Sequence, residues 1–242
     1  MVNAQIAFNL FTIITGIQNI CTMASSTVEN YVKQIYLRQQ EHPGHLVPLG
    51  QLATAMNVVP GTATSMVKTL AESGLVDYQP RAGIRLTENG EKLALHMLRR
   101  HRLIEQFLVE VLKYDWSEVH DEAETLEHAV SDMFMERLDE LLGNPKVDPH
   151  GDPIPSSQGQ VSTANHSALA DAKPNDFLEI TRVLDQEPEF LRFLEKNGLV
   201  PGQQLNVESI DSQGSSIALR LSNQSTLSLG LSAASKILTK PL

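Results

Sequence analysis

Cysteine, aromatic residues and positive charge are all scarce in this sequence. A single cysteine, Cys21, among 242 residues excludes a disulfide framework and any site built from several thiolates. Aromatics make up 5% of the chain while 41% of it is hydrophobic, so an aliphatic core is available and a wholly disordered chain is excluded. Lys and Arg number 19 against 29 Asp and Glu, a formal charge of −10. A net acidic protein repels the phosphate backbone, and on totals alone nucleic acid is a poor partner. Enzyme signatures are missing too. No His is followed by Glu, which removes HExxH, and no His has Glu three residues before it, which removes the Glu-x-x-His pairs of di-iron bundles. GxSxG and the phosphate-loop motif are also absent, so the chain is expected not to be an enzyme.

Long apolar runs are lacking as well. Residues 1–22 are apolar and uncharged, but Asn3, Gln5, Asn9, Gln18 and Asn19 interrupt them and no basic residue comes before Lys33. A spanning helix needs roughly 20 mostly apolar residues, and a secretory signal needs a positive start. The expectation is an extension, or a true start at Met23, with no membrane partner and a cytoplasmic location.

The periodicity that is present predicts helices over 27–41, after Pro48 and over 62–73, then a hairpin of LVDYQP and IRLT around Arg81-Ala82-Gly83. This order is that of a winged helix-turn-helix, assigned to 24–90. On its third helix Thr62, Thr64, Ser65 and Lys68 bracket the apolar Ala63, Met66, Val67 and Leu70 and are the candidate DNA contacts, joined by Arg81 and Arg85 in the wing. Two longer helices, 88–112 and 117–142, fill a segment assigned to 91–155. Its Leu93, Met97, Ile104, Phe107, Leu108 and Val111 exceed what a small domain hides and predict a homodimer interface. The prolines of PKVDPHGDPIP end helical structure, 156–175 reads as a linker, and 176–242 alternates as a small β-barrel. The fold class is mainly α with small β parts.

Charge is unevenly spread. Between Trp116 and Leu142 nine acids face the single base Arg137, whereas residues 24–95 are balanced. The objection to DNA binding therefore falls on a different part of the molecule from the winged helix. On the acidic helix, His120, Glu124, Glu127 and His128 are spaced i, i+4, i+7 and i+8, which places them on one helical face. The preceding helix offers His101 and Glu105, again four apart. Carboxylate and imidazole without thiolate suit Mn²⁺ or Fe²⁺, with Zn²⁺ open. A solvated acidic helix with incidental histidines would show the same spacing.

Certain motifs go further. VENYVKQIY, ESGLV, LTENGEKLA, RRHRLIEQFL, VHDEAETLEHAVSD and PHGDPIP, in this order, make the chain resemble the diphtheria-toxin-repressor family of metal-dependent transcriptional regulators, with its manganese regulators called MntR. The resemblance runs over about Thr27–Gln158 and more loosely beyond. It implies a winged helix-turn-helix domain, a helical dimerisation and metal-binding domain and a C-terminal SH3-like (FeoA-like) β-barrel. It implies an ancillary metal site at His101, Glu105 and His120, and a primary site at Glu124, Glu127 and His128 with Asn30 from the first helix. Glu124 stands where iron-responsive members have Cys, which favours Mn²⁺ over Fe²⁺. Asn30 departs from the pattern, since manganese-type members have Asp there. Asp185 and Glu187 are possible extra ligands from the barrel. The implied function is a metal-dependent repressor of metal-uptake genes that binds double-stranded operator DNA as a homodimer, metal fixing the spacing of its recognition helices. A metal-storage or metal-delivery protein, using the winged helix for protein contacts, is the alternative from another class.

Overall fold

A computed structural model describes residues 25–162 and 166–242. Residues 1–22, read above as an extension, lie outside the described residues. The chain divides into two compact units, one running to Arg99 and taking in Ser157–Gly159, the other made of Arg100–Ser156 and Gln160–Leu242.

The first unit contains α1 (Ser26–Glu41), α2 (Leu49–Ala55), α3 (Pro60–Glu72) and the hairpin β1 (Val76–Gln79) and β2 (Gly83–Leu86). Ser25 starts α1 by accepting from the Val28 amide, and Pro60 starts α3 at a position where its missing N–H costs nothing. One face of each helix is apolar, and Val32, Ile35, Leu52, Ala63, Val67, Leu70 and Ile84 are sealed from solvent. Val47 bridges Ile84 and so adds a short third strand to the wing. Gly83 is required there: at φ +146° a Cβ would lie 2.8 Å from both Leu46 Cβ and the Val47 carbonyl.

The long helix α4 (Glu88–Glu110) spans the division of the chain at Arg99 and Arg100. The second unit continues with α5 (Val119–Leu126) and α6 (Asp132–Leu141) around a core of Leu103, Ile104, Leu108, Val119, Ala123, Met135, Leu138 and Ile154. The single helix expected over 117–142 is therefore two. In an unbroken helix the carbonyls of Glu127 and Val130 would accept amides four residues on. Here they accept from the Arg100 guanidinium of α4 at 2.9 and 2.5 Å, and Ser131 caps a new helix by accepting from the Phe134 amide.

The apolar surplus also differs from the expected set. Leu93, Met97, Ile104 and Leu108 are buried within the chain itself, whereas Met133 and Leu141 of α6 are 72% and 66% exposed and Phe134, Val111 and Leu112 are exposed beside them in kind. Exposed apolar side chains of this helical region thus lie on α6 and just past the end of α4, where Val111 of the expected set is among them.

The β domain follows as β3 (Ser167–Ala168), a 3₁₀ turn (Leu169–Asp171), β4 (Phe177–Val183), α7 (Pro188–Lys196), β5 (Gln204–Asp211), β6 (Ser216–Leu221), β7 (Thr226–Gly230), α8 (Leu231–Ala234) and β8 (Ile237–Pro241). Its strands form one antiparallel sheet in the order β3-β8-β4-β5-β6-β7, bulged at Ile180/Arg182 and Val207/Ser209. Such bulges bend a small sheet around its core. The stretch read as a linker to residue 175 already belongs to this domain: β3 pairs with β8, and Leu169 is completely buried in the core of Ile180, Val207, Leu219 and their neighbours. The apolar Leu169 has nowhere else to go, and two residues of pairing suffice to place it.

Candidate metal centre

His101 is the hub of the second unit. Four residues before Glu105 on α4, it points along the same helical face and is buried. Its Nε2 lies 3.0 Å from Glu105 Oε1 and 3.2 Å from His120 Nδ1, and its Nδ1 lies 2.6 Å from Glu127 Oε2. His120 on α5 is 3.5 Å from Glu105 and, through its other nitrogen, 3.9 Å from Glu124. His128 Nε2 stands 3.5 Å from Glu127 Oε1. Two overlapping triads result, His101 with Glu105 and His120, and His101 with Glu124 and Glu127, each with ligand atoms within 4.8 Å of one another. Carboxylates and imidazoles gathered this closely, with His101, Glu105 and Glu127 buried and His120 reaching solvent, are the donor set of an oxygen-preferring divalent cation.

The electrostatics agree. Burial works to raise the Glu105 carboxyl, but the imidazole of His101, by charge and hydrogen bond, and that of His120 outweigh it and hold the group below the usual carboxylate range. Asp148 is the opposite case: burial and then the charges of Asp152 and Glu105 push its carboxyl well up, with Arg102 only partly offsetting them.

The structure brings His101, Glu105, His120, Glu124 and Glu127 together and sets His128 against Glu127, although Glu127 caps α5 and His128 lies past its end. Asn30 sits on α1, half-buried, beside an open cavity of about 420 Å³ lined with Thr27, Tyr31, Thr62, Ser65 and Thr69. Its Oδ1 is buried without a hydrogen-bond partner among the described residues. Asp185 and Glu187 join no ligand triad among the described residues. The Asp185 carboxylate accepts instead from Lys236 Nζ at 2.5 Å and from the Glu187 amide, and Glu187 caps α7.

In the first unit Thr62, Ser65 and Lys68 of α3 are exposed and Thr64 is half-buried, its hydroxyl donating back to the Pro60 carbonyl at 2.7 Å. Arg81 occupies the wing tip at φ +70°, and Arg85 donates to the Gly44 carbonyl at 2.9 Å. Reasoning from sequence missed Arg100 and Arg102. Both are buried, and they hold the Glu127 carbonyl and the Pro153 carbonyl, 27 and 51 residues away. Only the doubled basic pair flanking His101 hints at them.

Comparison with known proteins agrees with this architecture. Residues 23–84 match the family described as iron dependent repressor, N-terminal DNA binding domain; residues 87–156 match its metal binding and dimerisation domain; residues 168–241 match the FeoA domain. A helix-turn-helix transcriptional regulator of Methanocaldococcus jannaschii is 40% identical over 114 residues, 47% of this chain and 90% of that one. The iron-dependent repressor IdeR of Mycobacterium tuberculosis is 28% identical over 206 residues, 80% of this chain and 88% of its own. A manganese-dependent transcriptional repressor solved in complex with manganese superposes with a TM-score of 0.82 at 40% identity, covering 89% of this chain and all of that one. Among the described residues no helix is long and apolar enough to cross a membrane. A winged DNA-binding domain, a domain that binds divalent metal and dimerises, and a FeoA β domain, joined in that order, place this chain in the diphtheria-toxin and iron-dependent repressor family of metal-dependent, DNA-binding transcriptional repressors, which are not enzymes.

Proposed function

We propose that this repressor is activated by Mn²⁺ in preference to Fe²⁺ and silences metal-uptake genes as a cytoplasmic homodimer on double-stranded operator DNA. The observation that carries the reading is the convergence of the Glu105, Glu124 and Glu127 carboxylates and the His120 imidazole on the buried His101, with no thiolate among them. The proposed ligands are His101, Glu105 and His120 at one site, and Glu124, Glu127 and His128 with Asn30 at the other. A bound dication supplies positive charge to a segment where nine acids face one base. His101 ties the two ligand sets together through its two nitrogens, so filling one set orients the other. Thr62, Thr64, Ser65 and Lys68 read the major groove and its phosphates, and Arg81 and Arg85 hold the flanking backbone. Short hydroxyls discriminate bases less sharply than Arg or Asn, so part of the specificity comes from DNA shape.

The test is a mobility shift on selected operator fragments. Mn²⁺ produces the shift, a chelator abolishes it, and Glu127→Gln loses the metal response while sedimenting as a dimer. A shift indifferent to metal, or a Glu127→Gln protein with the wild-type response, refutes the assignment.

A further inference from the structure

The turn between α1 and α2 gathers basic side chains that α3 and the wing leave unused. Pro43 and Gly44 follow His42 in the order of a type II turn. Proline fixes the first bend, glycine takes φ +83°, and the His45 amide closes the turn by donating to the His42 carbonyl at 3.1 Å. The Cα atoms at the two ends of such a turn lie within about 7 Å, so His42 and His45, both exposed, stand as neighbours. Arg38 comes four residues before His42. The three side chains line one open cavity of about 300 Å³ together with Val47, Pro48 and Gln51, and among the described residues no carboxylate lines it.

The cavity is built into the wing. Val47 and Ile84 exchange backbone hydrogen bonds at 2.8 and 2.9 Å, and the Arg85 guanidinium donates to the Gly44 carbonyl at 2.9 Å. The Leu86 amide donates to Gln39 Oε1 of α1, also at 2.9 Å. The turn is thus tied to the hairpin from both sides, which places its bases beside Arg85. Two acids stand near them: Glu41 accepts from Arg38 at 2.9 and 3.0 Å, and Asp77 lies opposite Arg85 in the hairpin register. The Arg38–Glu41 pair is open to water, contributes little, and gives way to a phosphate at small cost. Arg38 Nε is buried and has no hydrogen-bond partner among the described residues, so Glu41 leaves a donor of this guanidinium unused.

We propose that Arg38, His42 and His45 form a phosphate seat for the DNA backbone, a contact with the duplex additional to those of α3 and the wing. A guanidinium and two imidazoles without a carboxylate in the lining suit an oxyanion, each imidazole donating through the nitrogen that carries hydrogen. The occupant is a phosphodiester of the duplex held by α3 and the wing, because the seat continues the basic surface of Arg85. Inorganic phosphate offers the same oxygens, and the experiment below separates the two. A backbone contact of this kind sets register and adds affinity on any sequence. The seat rests on the reading of α3 and the wing as the DNA-binding surface and involves none of the metal ligands.

Fluorescence anisotropy of the full chain in saturating Mn²⁺, on a labelled operator and on an unrelated duplex over a range of salt, tests the seat. Arg38→Gln and the double variant His42→Gln with His45→Gln are expected to bind both duplexes roughly three- to tenfold more weakly, by the same factor. For Arg38→Gln the slope of log affinity against log salt should fall by about 0.9 per subunit. Mn²⁺ affinity measured off DNA stays at the wild-type value. Both histidines are exposed, so the double variant carries the test if Arg38→Gln does not fold. Wild-type affinity in either variant, or a loss confined to the operator, overturns the seat and leaves the proposed function standing; a wild-type protein that binds neither duplex overturns both. Inorganic phosphate is titrated separately while the imidazole NMR signals are followed at constant ionic strength. Shifts of His42 and His45 that added duplex does not reverse mark a free-anion site and overturn the DNA assignment. Shifts that duplex reverses, or none, support it.

Discussion

Replacing Arg100 by Met tests whether the turn between α5 and α6 is held from α4. Methionine keeps most of the aliphatic stem and removes the fork that donates to the Glu127 carbonyl, the Val130 carbonyl and Asp132 Oδ1 at 2.9, 2.5 and 3.2 Å. A hydrogen bond to a charged group contributes about 1.5–3 kcal/mol. The buried bond to Glu127 takes the full value. The other two lie nearer solvent, where water replaces the lost donor, and contribute about 0.5–1 kcal/mol each. The expected loss is about 2.5–5 kcal/mol, which for a unit of this size lowers the melting temperature by roughly 5–20 °C. The measurement is thermal and urea unfolding in the presence of chelator, so that metal does not mask the change. Mn²⁺ affinity should fall at least about tenfold, because Glu127 and His128 leave a turn that no longer holds its shape. A variant that melts within about 2 °C of the wild type, with unchanged Mn²⁺ affinity, refutes the reasoning.

Other substitutions probe the remaining joints. Gly151, at φ +87°, lies against β4 so closely that a Cβ would stand 2.0 Å from the Thr181 carbonyl; Gly151→Ala should cost about 3 kcal/mol or more, and a calorimetric melt within a degree of the wild type would contradict that packing. Lys236 donating to Asp185 holds that carboxyl below its ordinary value, so its contribution is present above pH ~4 and vanishes as pH falls through the lowered value. Asp185→Asn should therefore lose at most about 0.5 kcal/mol at pH 7, this pair being partly exposed, and the gap to wild type should close as pH falls through the lowered value in urea titrations. A gap that widens in acid argues against the pairing. Met133→Lys should weaken self-association in sedimentation without shifting the melt of the isolated chain, because 72% of Met133 is exposed; unchanged association places the interface elsewhere.

Much of this fold is legible in local pattern. The winged helix follows from three apolar-striped segments, a Gly74 stop and a hairpin, and His101 with Glu105 declares itself by spacing alone. The break between α5 and α6 escapes because the 3.6-residue repeat carries on through it; the Ser131-Asp132 cap signal is there but local, and the arginine that takes the freed carbonyls comes from 27 and 30 residues away. Leu169 looks like one apolar residue in a polar stretch until a strand at the other end of the β domain pairs beside it. Helix α7 is missed for a related reason: PEFLRFLEK is amphipathic but only nine residues long, set among alternating β runs. His150 is unremarkable in sequence, and only the fold brings Trp116, Asp148 and Glu105 around it. Local period finds residues that share an element, whereas ligands assembled across elements need tertiary packing to be seen.

Adjacent residues of α4 grip the same distant glutamate at both ends: Arg100 by the main-chain oxygen of Glu127, His101 by its carboxylate. A ligand already immobilised has little conformational entropy left to lose on capture, roughly 1–2 kcal/mol for a side chain of this length. Such a saving appears mainly as a slow departure of the bound ion, since arrival is limited by diffusion and desolvation. For a regulator the consequence is temporal. Its off-switch runs on the lifetime of the metal complex, so genes under its control stay silent for a set interval after the supply of ion fails.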